Sequence, residues 1–153
     1  MEARLDYAKL APDAARALYS LGAYLAKCGL ERPLLELVKI RASQINGCAY
    51  CIDMHTKDAR ATGEAEQRIY ALNAWRETRF FSDRERAALA WAEAVTRIGD
   101  GVTDALFAEV RGQFSEKELA DLTWAVAAIN AWNRVAISFR SVPGVYQPKS
   151  RSV

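Results

Sequence analysis

Apolar residues recur every three or four positions along most of the chain, which is the spacing of one face of an α-helix. Between residues 33 and 46 the apolar positions follow a 3-4-3 pattern. A longer seam near the C-terminal end consists of Leu119, Leu122, Val126, Ile129, Asn133 and Ala136. No segment alternates apolar and polar residues long enough to predict a β-sheet. The pattern therefore predicts an all-α helical bundle of about six to seven helices.

Proline, glycine and capping residues predict where these helices begin and end. The sequences Ser82 to Glu85 and Ser115 to Glu118 have the serine and glutamate spacing of a capping box, which satisfies free backbone N–H groups at a helix start. Gly29 stands where a left-handed C-terminal cap is favoured. The predicted helices span about 12–27, 33–46, 48–61, 65–73, 82–98, 103–113 and 115–139, with an irregular stretch at 75–81.

One polar residue interrupts the apolar seam of the last helix. Asn133 occupies a seam position, where an unpaired amide would cost about 1 to 3 kcal/mol. We therefore expect Asn133 to hydrogen-bond across to another helix or to another subunit.

The composition is that of one soluble globular domain spanning 1–153. Apolar residues make up 51% and charged residues 26% of the chain, and the formal charge is only +2. The 21 basic and 19 acidic residues are dispersed, which excludes the clustered positive charge of a nucleic-acid-binding protein. The segment 147–153 is polar, and we expect it to be frayed.

The sequence also bears on the compartment. The first residues lack the order of a secretory signal, and no apolar stretch reaches the length of a membrane span. Cys28, Cys48 and Cys51 are an odd number of cysteines, which does not suit a disulfide framework. We expect a cytoplasmic protein without a membrane partner, in which a close cysteine pair serves redox or metal chemistry.

The candidate chemistry is concentrated in residues 46–55. Cys48, Cys51 and the single histidine, His55, have C-x-x-C-x-x-x-H spacing, which places them within roughly 60° of one another on a helix. The first turn of a helix favours a thiolate, and the C-x-x-C spacing allows a disulfide to close with little movement. His55 can carry protons near neutral pH.

Glu36 is a fourth candidate, from the preceding helix. It interrupts an apolar run from Leu34 to Val38, so burial would raise the pKa of its carboxyl and suit it to proton transfer. The alternative is a surface glutamate paired with Arg32 or Lys39 at helical spacing.

Other interpretations of the same residues remain open. The two cysteines could be small buried apolar residues, or they could bind zinc with His55 and Glu36. Cys28 has no reactive neighbour in sequence and is interpreted as a core residue. The four tryptophans are interpreted as core or subunit-interface residues, and the absence of a Gly-rich loop gives no reason to expect bound flavin or nicotinamide.

The segment from Glu36 through Asn46, Cys48, Cys51 and His55 resembles the core motif of the AhpD-like alkylhydroperoxidases, within the carboxymuconolactone decarboxylase superfamily. The likeness is densest over residues 33–62, and residues 129–134 also resemble the C-terminal part of that family. It implies an all-α domain that assembles as a trimer or hexamer. The cysteine pair, which the decarboxylases lack, argues against decarboxylation.

The resemblance also implies a role for each site residue. Cys51 would attack a peroxide and become a sulfenic acid, and Cys48 would resolve it as a disulfide. Glu36 and His55 would relay protons. An external dithiol, either a lipoyl group or a thioredoxin-like protein, would then reduce the disulfide, with no bound cofactor. Tyr50 stands where better-studied AhpD proteins have a histidine.

The hypothesis from the sequence is thus a thiol peroxidase that reduces hydrogen peroxide or organic hydroperoxides. Two other classes of function remain open. One is a redox-responsive regulatory protein or a general thiol-disulfide oxidoreductase without peroxide turnover, and the other is a structural helical oligomer.

Overall fold

The architecture is all-α, as the periodicity predicts. The computed structural model describes residues 2–148, with the backbone alone described at Asp100. Within this range there are eight α-helices and two short 3-10 helices. The α-helices are α1 (Tyr7–Leu10), α2 (Pro12–Leu25), α3 (Arg32–Asn46), α4 (Ala49–Ala61), α5 (Glu66–Ala71), α6 (Asp83–Thr96), α7 (Asp104–Arg111) and α8 (Glu116–Phe139), and the 3-10 helices are Leu72–Glu77 and Ile98–Asp100.

The helix count differs from the prediction because of α1. This helix is a single turn in which the Asp6 side chain accepts from the Lys9 N–H, and four residues are too few for apolar periodicity to show. The first predicted helix corresponds to α2 and ends earlier, at Leu25, although Gly29 does adopt a left-handed φ of 102°. The predicted helix over 65–73 is divided into α5 and the 3-10 helix that follows it.

Both predicted capping boxes are present, and they fix the starts of α6 and α8. The Ser82 hydroxyl accepts from the Glu85 N–H, and the Glu85 carboxylate accepts from the Ser82 N–H. Ser115 and Glu118 form the same reciprocal pair. Each box satisfies two backbone donors that the helix itself cannot.

The central element of the fold is α3, which packs against α4, α6 and α8. Its side chains Leu37, Val38 and Ile40 are fully buried. A helix surrounded on several sides must be apolar around most of its circumference, which is why the run from Leu34 to Val38 has little polar interruption. Glu36 interrupts that run, and it too is buried, with 4% of its surface exposed.

An amide network ties α3 to α8. Asn133 is fully buried, as its seam position predicts, and its Nδ2 donates to Ser43 Oγ at 3.0 Å. Its Oδ1 accepts from Asn46 Nδ2 at 2.8 Å, and the same Asn46 nitrogen donates to Asn130 Oδ1 at 2.9 Å. These bonds confirm that Asn133 connects helices. They hold the last turn of α3, from which the chain enters the cysteine segment.

The C-terminal residues return along α4 after Arg140, which ends α8 in the left-handed region. Of the tail that the sequence predicts to be frayed, residues 149–153 lie outside the described range. Across residues 2–148, none of the helices combines the length and the apolar character needed to cross a membrane.

Candidate functional site

A two-residue turn positions the cysteines. Gly47 ends α3 with a φ of 72°, a left-handed conformation that glycine adopts without strain. The Cys48 N–H then donates to the Ser43 carbonyl at 3.0 Å. Cys48 is the N-cap of α4 and Cys51 is its third residue, so Cys48 stands just before the first turn in which the sequence had placed it.

Cys48 and Cys51 are joined as a disulfide, with their Cα atoms 5.4 Å apart. The Cys51 N–H donates to the Cys48 sulfur at 3.3 Å, so this sulfur replaces the usual serine or aspartate cap. Both residues are almost fully buried, and they pack against Ala42 of α3 and Ile129 of α8. The pair therefore lies inside the bundle, at the N-terminal end of α4.

A cavity of about 500 Å³ lies beside the disulfide. Helices α2, α3, α4 and α8 form its walls, together with Tyr7 of α1. Cys51 lines the cavity, whereas Cys48 does not belong to the lining. A molecule in the cavity would therefore meet the Cys51 sulfur first, with Cys48 behind it.

Glu36 and His55 meet at the wall of the same cavity. His55 Nδ1 lies 2.8 Å from Glu36 Oε2, and both side chains are buried. Lys39 Nζ donates to the other carboxylate oxygen, Oε1, at 2.9 Å. Lys39 is thus the partner that the surface interpretation of Glu36 named, but the carboxylate is buried rather than exposed. The structure brings all four predicted site residues together.

The pKa of Glu36 moves in the direction opposite to the sequence prediction. Burial by itself raises this pKa, but the hydrogen bond from His55 and the Lys39 ammonium outweigh it and hold the value at about 2. The expectation of a raised pKa was wrong because sequence periodicity shows burial without showing the partners. Glu36 is consequently ionised near neutral pH and accepts hydrogen bonds only.

This charge state fixes the histidine tautomer. An ionised carboxylate cannot donate, so His55 Nδ1 must carry the proton in the 2.8 Å contact with Glu36. Nε2 is then the nitrogen free to accept a proton. Because His55 follows Cys51 by one helical turn and lines the same cavity, its free nitrogen is available to chemistry at the sulfur.

The C-terminal strap, residues 144–146, is hydrogen-bonded along α4, beside the site. The Gly144 N–H donates to Asp53 Oδ2 at 2.9 Å, and Lys57 Nζ donates to the Tyr146 carbonyl at 3.0 Å. The Tyr146 hydroxyl donates to Asp58 Oδ1 at 2.8 Å, one turn beyond His55. Burial and this bond raise the pKa of Tyr146 to about 12. The strap is therefore attached to α4 by hydrogen bonds at Asp53, Lys57 and Asp58.

Glu36, His55 and Asp58 each offer a donor atom within 4.8 Å of the others, and the cysteines do not belong to this group. The two carboxylates of this group already have hydrogen-bond partners, because Lys39 donates to Glu36 and the Tyr146 hydroxyl donates to Asp58. Zinc bound by the two cysteines would require the reduced pair, since a disulfide offers no thiolate.

The other residues singled out from the sequence lie in different settings. Tyr50 lines the cavity, and burial raises the pKa of its phenol, so it stays neutral near pH 7. Cys28 is a free thiol, half-buried against the core. Trp75 and Trp91 are buried as predicted, whereas Trp124 is 58% exposed and is not a core residue.

Sequence reasoning named Arg32 and Lys39 as possible ion-pair partners of Glu36, but it missed the cavity that they line and it missed the strap. Arg32 and Lys39 line the cavity with Glu36, and their positions at i, i+4 and i+7 on α3 were a usable signal. The strap gave no such signal, because Tyr146 reaches Asp58 over 88 residues of sequence.

Comparison with known proteins places this site in a family. The profile of the carboxymuconolactone decarboxylase family matches residues 12–94. The uncharacterized protein YdfG of Bacillus subtilis (strain 168) is 44% identical over 139 residues, which cover 90% of this chain and 95% of YdfG. The uncharacterized protein YnjA of Escherichia coli (strain K12) is 33% identical over 66% of this chain and 56% of its own length.

Solved structures share the fold. ATU0492 of Agrobacterium tumefaciens, a protein of unknown function, superposes with a TM-score of 0.91 at 44% identity, covering 95% of this chain and 100% of its own. The AhpD core of a peroxidase-related protein from Ralstonia eutropha JMP134 has a TM-score of 0.80 at 23% identity, over 90% of this chain and 74% of its own. At that identity the likeness establishes the fold alone.

Proposed function

The chain belongs to the carboxymuconolactone decarboxylase family, and on that premise we propose that it is a thiol-dependent peroxidase that reduces hydroperoxides through Cys48 and Cys51. ATU0492, which is 44% identical, carries a provisional assignment to the AhpD antioxidant defence proteins. That assignment agrees with the proposal.

One observation carries the proposal. A C-x-x-C pair is joined as a disulfide, and its second sulfur lines a cavity together with a buried histidine and carboxylate. A structural disulfide has no need of a substrate cavity or of a proton carrier beside it. The arrangement instead offers a nucleophile, a resolving thiol and a base within two helical turns.

In the first step Cys51 acts as the nucleophile. His55 Nε2 accepts the thiol proton, and the thiolate attacks the nearer peroxide oxygen, so the O–O bond breaks. Cys51 becomes a sulfenic acid, and the alkoxide leaves as an alcohol after taking the proton back from His55. Glu36 stays ionised throughout and stabilises the imidazolium through Nδ1.

In the second step Cys48 resolves the sulfenic acid. Its sulfur attacks the Cys51 sulfur, water leaves, and the disulfide seen here is formed. An external dithiol, a lipoyl group or a thioredoxin-like protein, then restores both thiols by exchange and is itself oxidised. The net reaction consumes one hydroperoxide and one dithiol and releases one alcohol and one water. We propose this cycle for a cytoplasmic homo-oligomer, a trimer or hexamer.

A thiol titration with peptide mapping tests the cycle. The reduced protein, freed of reductant, is mixed with hydrogen peroxide or cumene hydroperoxide, and steady-state turnover is followed with lipoyl or thioredoxin-like donors. We expect two thiols to be lost per chain as a Cys48–Cys51 disulfide, and no turnover in Cys51→Ser. Cys28→Ser is the matched control and should turn over like the wild type.

The outcomes separate the rival functions. Retained turnover in Cys51→Ser would contradict the assignment of the nucleophile. If peroxide oxidises the cysteine pair once and none of the donors reduces it for a second turnover, the protein would be a redox-responsive regulator. A protein that exchanges disulfides with the donors but leaves peroxide untouched would be a thiol-disulfide oxidoreductase.

A further inference from the structure

We propose that the physiological substrate is the hydroperoxide of a long-chain fatty acid, which is an anionic amphiphile. Its carboxylate pairs with Arg32 at the cavity rim. This inference rests on the peroxidase function proposed above. The apolar chain occupies the space between α2 and α8, and the peroxide group reaches Cys51. Four features of the cavity lead to this substrate class: its volume, its lining, its charge and the position of Arg32.

The volume of the cavity exceeds what a small peroxide needs. Hydrogen peroxide is little larger than a water molecule, whose share of liquid volume is about 30 Å³. The cavity of about 500 Å³ instead falls within the range that holds drug-sized ligands. A substrate that fills it is much larger than hydrogen peroxide.

The walls away from Cys51 are apolar and are kept wide by small residues. Gly22 of α2 lines the cavity, and a Cβ placed there would meet no atom within 4 Å. Alanines also line the cavity, at position 26 directly after α2 and at positions 125 and 128 of α8. Glycine within a helix costs about 0.5 to 1 kcal/mol relative to alanine, so Gly22 keeps space open at some expense of stability. An alkyl chain suits such a surface.

The charged residues that line the cavity carry more positive than negative charge. Of the strong acids and bases that line it, two are basic, Arg32 and Lys39, and one is acidic, Glu36. Both oxygens of Glu36 are committed, one to His55 and one to Lys39. One positive charge is therefore left without a counter-ion inside the cavity.

Arg32 carries that unmatched charge. Within residues 2–148 its side chain has neither a hydrogen bond nor an ion pair, although Glu36 lies one helical turn further along α3. An exposed guanidinium at the rim can bind a carboxylate through two parallel N–H donors while the rest of the ligand enters the cavity. Lys39, held by Glu36, is less free to do so.

The reaction at this substrate is the proposed one. The fatty acid hydroperoxide loses its outer oxygen to Cys51 and leaves as the hydroxy acid, while Cys51 becomes the sulfenic acid that Cys48 resolves. The carboxylate takes no part in the chemistry, and it serves to orient the chain. Arg32 is accordingly a specificity-determining residue, and the donor dithiol supplies the two electrons as before.

The test compares an acid with its methyl ester. Thiol oxidation of the reduced protein is followed by stopped-flow tryptophan fluorescence with 13-hydroperoxyoctadecadienoic acid and with its methyl ester, both below their aggregation concentrations. We expect the acid to react about tenfold faster, and we expect this ratio to approach one in Arg32→Gln. Arg32→Lys keeps the charge but not the paired donors, and it should retain part of the preference.

Arg79→Gln is the matched control, because it removes one exposed arginine outside the cavity and should keep the full acid-to-ester ratio. Circular dichroism melts confirm that each variant is folded. Equal rates for acid and ester in the wild type, beside rapid oxidation by cumene hydroperoxide, would overturn the substrate class and leave the peroxidase standing. A preference that survives in Arg32→Gln would overturn the role of Arg32.

A binding measurement separates failure of the site from failure of the proposed function. Calorimetry with Cys51→Ser compares the non-reactive 13-hydroxyoctadecadienoic acid with its methyl ester. If no hydroperoxide oxidises the wild type, the peroxidase proposal fails, and this titration then decides the anion site by itself. Tighter binding of the acid that is lost with Arg32→Gln supports the site, and equal binding overturns it.

Discussion

Two buried carboxylates, Glu36 and Glu93, show how the same burial serves different purposes in this protein. Glu36 on α3 is 4% exposed and Glu93 on α6 is 6% exposed. Glu93 accepts from Arg41 Nε at 2.8 Å and from Trp75 Nε1 at 2.9 Å, and it pairs with Arg76. Burial would raise the pKa of Glu93, but these donors outweigh burial and lower it.

The two carboxylates differ in what their partners can do with a proton. An arginine and an indole keep their protons under all physiological conditions, so Glu93 can only hold structure together. It joins α3, α6 and the 3-10 helix Leu72–Glu77. Glu36 instead bonds a histidine that can gain and lose a proton, and this pair faces the cavity. Burial and a low pKa alone therefore do not identify a catalytic group. The titratable partner and the access to a cavity distinguish Glu36 from Glu93, and they support the proton-transfer role that we propose for it.

The largest effect is expected from neutralising Glu93, the carboxylate that serves structure. Glu93→Gln leaves Arg41 with little solvent and without its counter-charge, so we expect the free energy of unfolding to fall by about 3 kcal/mol. Urea denaturation at pH 7 measures this loss. Peroxidase turnover per folded molecule should stay at the wild-type level, and a change in turnover beyond twofold would contradict a purely structural role for Glu93.

The matched change at the other carboxylate should act on catalysis. Glu36→Gln keeps the size of the side chain but removes the negative charge that stabilises a protonated His55. We expect thiol oxidation by hydroperoxide to slow by about 100-fold, within the range typical of a general-base contribution. Stopped-flow rates measure the effect, with Glu93→Gln as the control. Wild-type rates across pH 5 to 9 in Glu36→Gln would contradict the proposed stabilisation of protonated His55 by Glu36.

The smallest effect is the response to acid. The pKa of Glu36 is about 2 in the folded protein, against an ordinary value of 4.5, so ionised Glu36 favours the folded state above pH 4.5. This contribution is lost as the pH falls from 4.5 towards 2. Glu36→Gln has no such contribution to lose, so the stability difference between wild type and Glu36→Gln should shrink by about 1 to 2 kcal/mol between pH 5 and 3. Chemical denaturation at several pH values measures it, and a constant difference would contradict the low pKa.

Much of the fold could be predicted because local rules govern it. The capping boxes at Ser82 and Ser115 start α6 and α8 where predicted, since each depends on residues three positions apart. The seam of α8 buries Asn133 as predicted. The short α1 and the division of 65–73 escaped prediction, because each depends on one or two turns whose periodicity is too short to detect.

The site was predictable as a set of residues rather than as an arrangement. Cys51 and His55 belong to α4 and Cys48 is its N-cap, so their spacing in sequence was enough to bring them together. Glu36 comes from the preceding helix, and its apolar neighbours indicated burial while a surface position paired with Arg32 or Lys39 stayed open; the structure decided for burial. Its hydrogen bond to His55 and its lowered pKa did not follow, since both depend on how α3 packs against α4.

The sequence by itself determined most of the helices, many of their ends and the cysteine pair beside a histidine, because hydrophobic periodicity, capping and helical spacing act over a few residues. Only the tertiary structure decided that Cys51 lines a cavity while Cys48 does not, that Arg32 stands at its rim, and that Tyr146 bonds to Asp58 of α4. These features join residues far apart in sequence. Their geometry is set by the packing of whole helices, which no short-range pattern encodes.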